Sequence, residues 1–305
     1  MTQGVMWTGF NLFILSLLVL DLKVFNRNSH IVSIKEALGW SAFWIILSLL
    51  FNLGVYHFSG TKPAIDFLAG YLLEKSLSVD NLFVFILLFS YFKVPASYQH
   101  KVLFWGIIGA LIMRALFIFG GIALISRFHW LIYLFGLFLV YTGVKLSLDK
   151  DEEIHPENNP ILKLFRRWMP ITENYENDSF FVRRAGKLMA TPLFVVVLVV
   201  ESTDVMFAVD SIPAIFAVTL DPFIVYTSNV FAILGLRALY FALAGMMKMF
   251  TYLNYGLSVI LVFIGIKMLL SEYLHISTLW ALGIIAIILL VSILASVIKD
   301  HSAST

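Results

Sequence analysis

The sequence contains no cysteine and few charged residues. Only 13% of its 305 residues are Asp, Glu, Lys or Arg, and 60% are hydrophobic, whereas an average globular protein has roughly 25% charged residues. The lack of cysteine excludes disulfide bonds, thiolate metal ligands and redox-active dithiols within this chain. So few charges could not cover the surface of a soluble protein with this much apolar side chain. The composition therefore predicts a membrane protein.

The sequence also lacks the short motifs of several enzyme classes. It has no G-x-x-x-x-G-K-[ST] loop for ATP phosphates, no H-E-x-x-H zinc motif and no G-x-S-x-G nucleophile turn. The formal net charge of +2 at pH 7 is too small to indicate a nucleic-acid partner. We therefore expect a chain that is not an enzyme, has no organic cofactor and is surrounded by membrane lipid.

Nine apolar segments have the length of a membrane-spanning helix, which is about 20 residues. They cover 7–25, 37–58, 64–92, 102–125, 130–148, 192–220, 223–246, 252–270 and 279–298. The first segment has no Lys or Arg before it, which argues against a cleaved signal peptide. The sequence thus predicts an all-α polytopic membrane protein with about nine transmembrane helices.

The distribution of Lys and Arg predicts the orientation, because these residues accumulate in cytoplasmic loops. With the amino terminus outside, fifteen of the 21 basic residues lie on the cytoplasmic side, and only Lys62 and Arg127 lie on the outer side. The carboxyl terminus is then cytoplasmic. The one long loop, 149–189, is cytoplasmic too. We interpret it as a solvated connector, and the alternative is a regulatory or metal-sensing role for 149–157.

Two parts of the sequence resemble each other. Eight residues recur unchanged 122 positions later. They are Phe128, Leu131, Tyr133, Leu139, Val140, Gly143, Lys145 and Leu148, which correspond to Phe250, Leu253, Tyr255, Leu261, Val262, Gly265, Lys267 and Leu270. Upstream, Arg114 corresponds to Arg237 and Asp80 to Asp204, in the same order. This pattern indicates an internal duplication.

Each copy contains three predicted spans, and an odd number forces the second copy to enter the membrane from the opposite face. Inverted repeats are typical of secondary transporters that open alternately to two sides of a midplane site. The alternative is a duplicated helical scaffold without transport. The chain is accordingly divided into two N-terminal transmembrane helices (1–62), repeat A (63–148), the loop (149–189), repeat B (190–271), and a last helix with a cytoplasmic tail (272–305).

Five carboxylates lie inside the predicted spans of the repeats, where each costs roughly 2.5 to 3.5 kcal/mol on insertion. They are Glu74, Asp80, Glu201, Asp204 and Asp210. Because residues three or four apart share a helix face, Ser78 and Asn81 are expected on the face of Glu74. In the second copy, Ser202 adjoins the acidic face formed by Glu201 and Asp204. Two helices thus present carboxylates, an amide and hydroxyls.

This oxygen-rich set suits Mg²⁺, Ca²⁺ or Mn²⁺. All seven histidines fall in loops or near span ends, which disfavours zinc and copper. Met206, two residues after Asp204, could add a thioether that favours Mn²⁺, although packing is the commoner role of a methionine in a span.

Arg114 and Arg237 occupy equivalent positions deep in the fourth and seventh predicted spans. In one interpretation each neutralises a buried carboxylate and fixes helix packing. In the other they are counter-charges that replace the metal ion when the site is empty. Five acids and two arginines leave a net charge of −3, which a divalent cation reduces to −1. Such a site would also load protons. The fourth span also contains glycines that are expected to permit close helix packing: Gly106, Gly109, Gly120 and Gly121.

The acidic segments resemble the signature segments of the TerC family of bacterial membrane proteins. The run E-K-S-L-S-V-D-N covers 74–81, and the run E-S-T-D-V-M-F-A-V-D-S-I-P-A-I-F-A covers 201–217. The similarity extends over nearly the whole chain and is strongest to the Alx branch of the family, whose members are regarded as manganese exporters induced at alkaline pH.

The resemblance implies a bacterial inner-membrane transporter whose substrate is Mn²⁺, moved out of the cytoplasm. It implies that the metal or pathway residues are Glu74, Asp80, Asn81, Glu201, Asp204 and Asp210. The supporting polar or charged partners are then Ser78, Ser202, Met206, Arg114 and Arg237. The inverted repeats predict alternating access, with protons as the coupling ion.

Two alternatives remain. One is a non-transporting membrane scaffold in metal or tellurite stress that recruits partners through the loop 149–189. The other is a transporter of the same architecture for Ca²⁺ or another cation.

Overall fold

A computed structural model of the chain describes residues 3–20, 33–128, 130–148, 160–176, 178–184, 186–244, 253–270, 273 and 276–303. These residues form eleven α-helices and one two-stranded antiparallel β-hairpin. Six helical segments among them are long and apolar enough to cross a membrane: Ile34–Ser59, Ala96–Arg127, Leu131–Leu148, Pro192–Phe216, Pro222–Ala244 and Thr278–Ile298. The chain is therefore mostly helical and consistent with a polytopic membrane protein, as the sequence predicts.

The amino-terminal half contains five long helices. They are α1 (Gln3–Leu20), α2 (Ile34–Ser59), α3 (Thr61–Tyr91), α4 (Ala96–Arg127) and α5 (Leu131–Leu148). A short helix and a hairpin follow, α6 (Pro160–Trp168), β1 (Phe181–Arg184) and β2 (Lys187–Ala190). The carboxyl-terminal half contains α7 (Pro192–Phe216), α8 (Pro222–Leu234), α9 (Leu236–Ala244), α10 (Leu253–Leu269) and α11 (Thr278–Ala303).

Each of the nine apolar segments of the sequence contains a helix. Three of these helices are not among the six that are long and apolar enough to cross a membrane. Two are shorter apolar helices, Gly4–Val19 in α1 and Tyr255–Leu269 in α10. The third, α3, carries four charged residues between positions 66 and 80, which lower its hydropathy. The seventh segment is interrupted at Gly235, where α8 ends and α9 begins.

The outer surface of the helices is apolar. Large side chains such as Leu53, Ile287 and Leu290 have exposed fractions of 60% or more. A water-soluble protein seldom exposes contiguous apolar surface of this extent, whereas lipid tails cover it at no cost. The exposed faces therefore indicate contact with hydrocarbon.

The interior helices pack in reciprocal pairs. Helix α3 packs against α8, and α7 packs against α4. Likewise α5 contacts α7, and α10 contacts α3. Helices α3, α4 and α5 fall in the predicted repeat A, and α7, α8 and α10 fall in the predicted repeat B. Each of these contacts therefore has a counterpart with the two predicted repeats exchanged.

The tightest of the reciprocal contacts joins α5 to α10. A Cβ atom at Gly143 would lie 2.8 Å from the Ser258 carbonyl oxygen, and one at Gly265 would lie 2.6 Å from the Gly136 carbonyl oxygen. Gly143 corresponds to Gly265, and Gly136 corresponds to Ser258, at the offset of 122. The two contacts are thus the same contact with the repeats exchanged. Glycine lets the two backbones approach closely here.

The segment interpreted as a solvated connector contains local structure. Leu162 of α6 is 1% exposed, and Phe165 of the same helix packs on Phe194 of α7 with ring centroids 5.3 Å apart. The Tyr175 hydroxyl donates a hydrogen bond to the Phe92 carbonyl oxygen at 2.7 Å, beyond the end of α3. The described part of the segment is therefore attached to the helices. The predicted regulatory run 149–157 lies outside the described residues.

Candidate functional site

The described carboxylates of the acidic motifs lie midway along two helices. Glu74 is about 20 Å from the start of α3, and Asp204 is about 18 Å from the start of α7, at the 1.5 Å rise per residue of an α-helix. Both residues therefore lie near the middle of their helices, which have 31 residues in α3 and 25 in α7. The exposed fraction is 2% for Glu74 and 5% for Asp204. Because α3 packs against α7, both carboxylates belong to one buried region.

Arg114 of α4 reaches this region and is itself 2% exposed. Its Nη1 atom forms an ion pair with the carboxylate of Glu74. The same Nη1 donates hydrogen bonds to Ser211 Oγ at 3.0 Å and to Asn229 Oδ1 at 2.9 Å. One guanidinium thus connects α4 to α3, α7 and α8.

The polar residues on the face of Glu74 lie as the helical spacing predicts. Ser78, one turn further along α3, donates a hydrogen bond to Glu74 Oε1 at 3.2 Å. Asn81 is 4% exposed, so its amide is also inside the protein. The structure therefore brings Ser78 together with the Glu74–Arg114 pair. Asn81 of the same helix is buried in the protein.

The second motif contributes two described carboxylates. Asp204 lies within electrostatic range of Arg114 and Glu74, and Glu201 lies within range of Asp204. The Oδ2 atom of Asp204 is buried and has no hydrogen-bond partner among the described residues. Glu74 and Asp204 thus lie within electrostatic range of one guanidinium, and Glu201 lies within range of Asp204.

Glu201 depends on a glycine of α4. A Cβ atom at Gly109 would lie 2.0 Å from both carboxylate oxygens of Glu201. The sequence predicts helix packing as the role of this glycine, but the space is filled by a carboxylate of the acidic motif. At Gly121, by contrast, a Cβ would meet the ring of Phe216 at 2.6 Å, in agreement with a packing role.

The other predicted residues differ in placement. Met206 is 69% exposed, so it does not share the buried face of Asp204. Ser202 is 8% exposed and donates to the Val199 carbonyl oxygen of its own helix at 2.8 Å. Arg237 is less buried than Arg114.

Two predicted ligands remain without a structural account. Asp80 lies within α3 and Asp210 within α7, and both side chains lie outside the described part of the structure.

Among the side chains that the structure describes, no three or more His, Asp or Glu residues are grouped as a metal site would require. Glu74 is engaged by Arg114, and Glu201 and Asp204 adjoin each other on α7. Their oxygens are ligands that a hard divalent cation prefers. In this conformation the described polar contacts of Glu74 are with the Arg114 guanidinium and the Ser78 hydroxyl, and none is with another carboxylate.

Other buried polar residues of the described structure were not predicted as site residues from the sequence. Ser211 and Asn229 bind Arg114, and each is a polar residue inside an apolar run, which is the signal that could have identified them. Asp66, 2% exposed, pairs with Lys62 at 2.9 Å near the start of α3. Lys75, next to Glu74, donates to the Ala232 carbonyl oxygen at 3.2 Å.

Comparisons with known proteins give a consistent result. A family model described as "Integral membrane protein TerC family" matches residues 59–304. A membrane protein of Myxococcus xanthus is 52% identical over 300 residues, covering 98% of this chain and 94% of that protein. Alx of Escherichia coli (strain K12), whose name describes a proposed membrane-bound redox modulator, is 49% identical over 289 residues, covering 92% and 90%. A membrane protein of Rickettsia bellii is 44% identical over 295 residues, covering 97% and 98%.

No solved structure matches the chain.

Proposed function

The chain belongs to the TerC family of integral membrane proteins, and we propose that it is a secondary transporter that exports Mn²⁺ from the bacterial cytoplasm. The observation that carries this proposal is the buried region between α3 and α7. Glu74 and Asp204 lie there with exposed fractions of 2% and 5%, midway along helices of an integral membrane protein. Ionisable groups at this depth are costly and mark substrate or ion pathways.

The substrate site consists of oxygen ligands from both acidic motifs. We assign to it Glu74, Asp80, Asn81, Glu201, Asp204 and Asp210. Carboxylate and amide oxygens suit a hard divalent cation. The five carboxylates of the acidic motifs outnumber the cations Lys75, Arg114 and Arg237 of the same repeats, and a divalent ion would offset the excess of negative charge. The carboxylates of Glu201 and Asp204, which are not paired with Arg114 in this structure, can take up protons when the ion leaves, and this supports proton-coupled exchange.

Alternating access follows from two inverted three-helix repeats within a bundle of nine spans. We count α1, α3 and α10 as spans in addition to the six long apolar segments. The α5–α10 interface contains two equivalent contacts, Gly143 with Ser258 and Gly265 with Gly136. This equivalence supports a pseudo-two-fold axis in the membrane plane. Repeats related in this way can each adopt the conformation of the other, which opens a midplane site to either side.

The name of the Escherichia coli relative proposes a redox role. If this chain has such a role, it acts without redox chemistry of its own thiols. The chain has no cysteine, so thiol–disulfide exchange is not available to it. Control of a cytoplasmic pool of Mn²⁺, itself a redox-active ion, is compatible with such an effect. We place the protein in the inner membrane. We orient its amino terminus outside and its carboxyl terminus in the cytoplasm, because this orientation puts most Lys and Arg residues on the cytoplasmic side.

Flux measurements with the purified protein in liposomes test the proposal. Liposomes with a trapped Mn²⁺-sensitive dye are expected to show protein-dependent Mn²⁺ entry down a gradient and a coupled change in internal pH. A non-transporting scaffold gives no flux above that of empty liposomes. A transporter for another cation gives flux that Ca²⁺ or Mg²⁺ supports better than Mn²⁺. Either result contradicts Mn²⁺ export as the function.

A further inference from the structure

The Arg114 side chain is bound by acceptors from three other helices. Its Nη1 atom contacts Glu74 on α3, Ser211 on α7 and Asn229 on α8. An arginine Nη atom carries two hydrogens, so three acceptors compete for two N–H groups. Glu74 therefore shares this donor with two neutral acceptors, which hold the guanidinium beside the carboxylate.

The other donors of Arg114 are not satisfied. Its Nε and Nη2 atoms are buried and make no hydrogen bond to any described residue, and neither does Asp204 Oδ2. Yet Arg114 and Asp204 lie within electrostatic range of each other. Unsatisfied buried groups cost free energy, so an ion pair that served packing alone would be expected to use them. Unused donors within electrostatic range of an unpaired carboxylate are what we expect of groups that change partners.

The neighbouring cation does not perform the same task. Lys75 is adjacent to Glu74 in sequence, but its Nζ donates to the Ala232 carbonyl oxygen on α8 at 3.2 Å. Arg114, by contrast, forms an ion pair with the Glu74 carboxylate.

We propose that Arg114 is a resident counter-cation, which pairs with Glu74 when the transporter holds no metal and leaves Glu74 when a divalent cation binds. Ser211 and Asn229 are positioning residues that hold the guanidinium in the metal-free state. The proposal rests on the proposed function. Its consequence is kinetic: without the guanidinium, the empty transporter must reorient with an unpaired buried carboxylate, which is unfavourable. The metal-loaded transporter has no such need.

Two flux measurements separate these steps. Net Mn²⁺ efflux from liposomes requires the empty transporter to return, whereas exchange of radioactive for unlabelled Mn²⁺ at equal concentrations on both sides does not. Arg114→Gln is expected to lower net efflux at least tenfold and, at saturating Mn²⁺, to leave the exchange rate within twofold of the native rate. Loss of folding or of site geometry would lower both rates together.

Asn229→Leu provides a second test that keeps Arg114 itself. Because the guanidinium is held less firmly, the Mn²⁺ concentration for half-maximal exchange is expected to fall at least threefold. Asn52→Leu is the matched control, since Asn52 is a buried amide of α2 that is 7% exposed and does not bind Arg114. Its half-maximal concentration is expected to stay at the native value.

The results that overturn the proposal are specific. The proposal is overturned if Arg114→Gln keeps net efflux within twofold of the native rate. It is also overturned if this variant loses net efflux and exchange to the same extent. If that variant does not fold, an unchanged half-maximal concentration in Asn229→Leu overturns the proposal. No Mn²⁺ flux by the native protein would instead contradict the proposed function itself, together with this inference.

Discussion

The guanidinium of Arg114 and the carboxylate of Glu74 form an ion pair in which both side chains are almost completely buried, with exposed fractions of 2% and 1%. Such a pair contributes little net stability, because desolvation of both charges offsets their attraction. Removal of one partner is costly, since it leaves a buried charge without a counter-ion. The pair is therefore better understood as part of a working site than as a stabilising contact.

Stability measurements can distinguish these contributions. Glu74→Gln should lower the free energy of unfolding in detergent by up to about 3 to 5 kcal/mol, because Arg114 loses its ion-pair partner and keeps only the attraction of Asp204. The double variant Glu74→Gln with Arg114→Met should recover most of that loss, since no unpaired charge remains. Additive losses in the double variant would contradict direct coupling of the two charges.

A second prediction concerns the glycine that accommodates Glu201. Gly109→Ala should reduce Mn²⁺ flux strongly, because its Cβ would lie 2.0 Å from both carboxylate oxygens and displace them. The folded protein should be recovered in normal amount, since the displaced atoms are at the end of a flexible side chain. Gly106→Ala is the matched control: one turn away, its Cβ would meet Val200 Cγ1 at 3.3 Å. Equal flux in the two variants would contradict a role for Glu201.

A third prediction concerns the α5–α10 contact. Gly265→Ala should lower the free energy of unfolding by about 1 to 3 kcal/mol, because its Cβ would lie 2.6 Å from the backbone oxygen of Gly136. Gly143→Ala should have a similar effect through Ser258. Gly120→Ala is the control, since nothing lies within 4 Å of its Cβ, and it should be neutral. A marked loss with only one of the two interface variants would contradict the reciprocal packing.

A fourth prediction concerns pH and the segment outside the membrane. Burial raises the pKa of Tyr175 from 10.0 to about 12. Because the folded-state pKa lies above the unfolded value, the contribution of the neutral hydroxyl is complete below pH 10 and is lost as the pH rises to 12. Tyr175→Phe should remove this part of the pH dependence and the hydrogen bond to Phe92, which is worth about 1 kcal/mol. Thermal unfolding of the native protein and of Tyr175→Phe between pH 9 and 12 measures this pH dependence. If the melting temperatures of the two proteins change with pH in the same way, the prediction is contradicted.

The sequence predicts the helical framework well, because apolar runs of spanning length have few alternatives in lipid. It is less informative about where a run is interrupted. The seventh segment divides at Gly235 into α8 and α9, and α6 and the hairpin form within a charged loop. Such details depend on tertiary contacts, for example that of Phe165 with Phe194, which have no periodic pattern in the sequence.

The candidate site shows the same division. Helical spacing predicts Ser78 beside Glu74, and the structure confirms that contact. The partners of Arg114 could not be derived in this way, because Ser211 and Asn229 belong to different helices and meet only through packing. The repeat relation predicts equal positions for Arg114 and Arg237, whereas Arg114 is the more deeply buried of the two. In a single conformation of the bundle, equivalent residues of the two repeats can differ in burial.

The central claim, that carboxylates of α3 and α7 hold a divalent cation near the bilayer midplane, is tested most directly by a structure of the Mn²⁺-soaked protein with anomalous scattering. We expect one manganese peak in direct contact with carboxylate oxygens of both helices and the guanidinium of Arg114 moved away from Glu74. Manganese bound elsewhere, or absent from this region at concentrations that saturate transport while Arg114 remains paired with Glu74, would contradict the account.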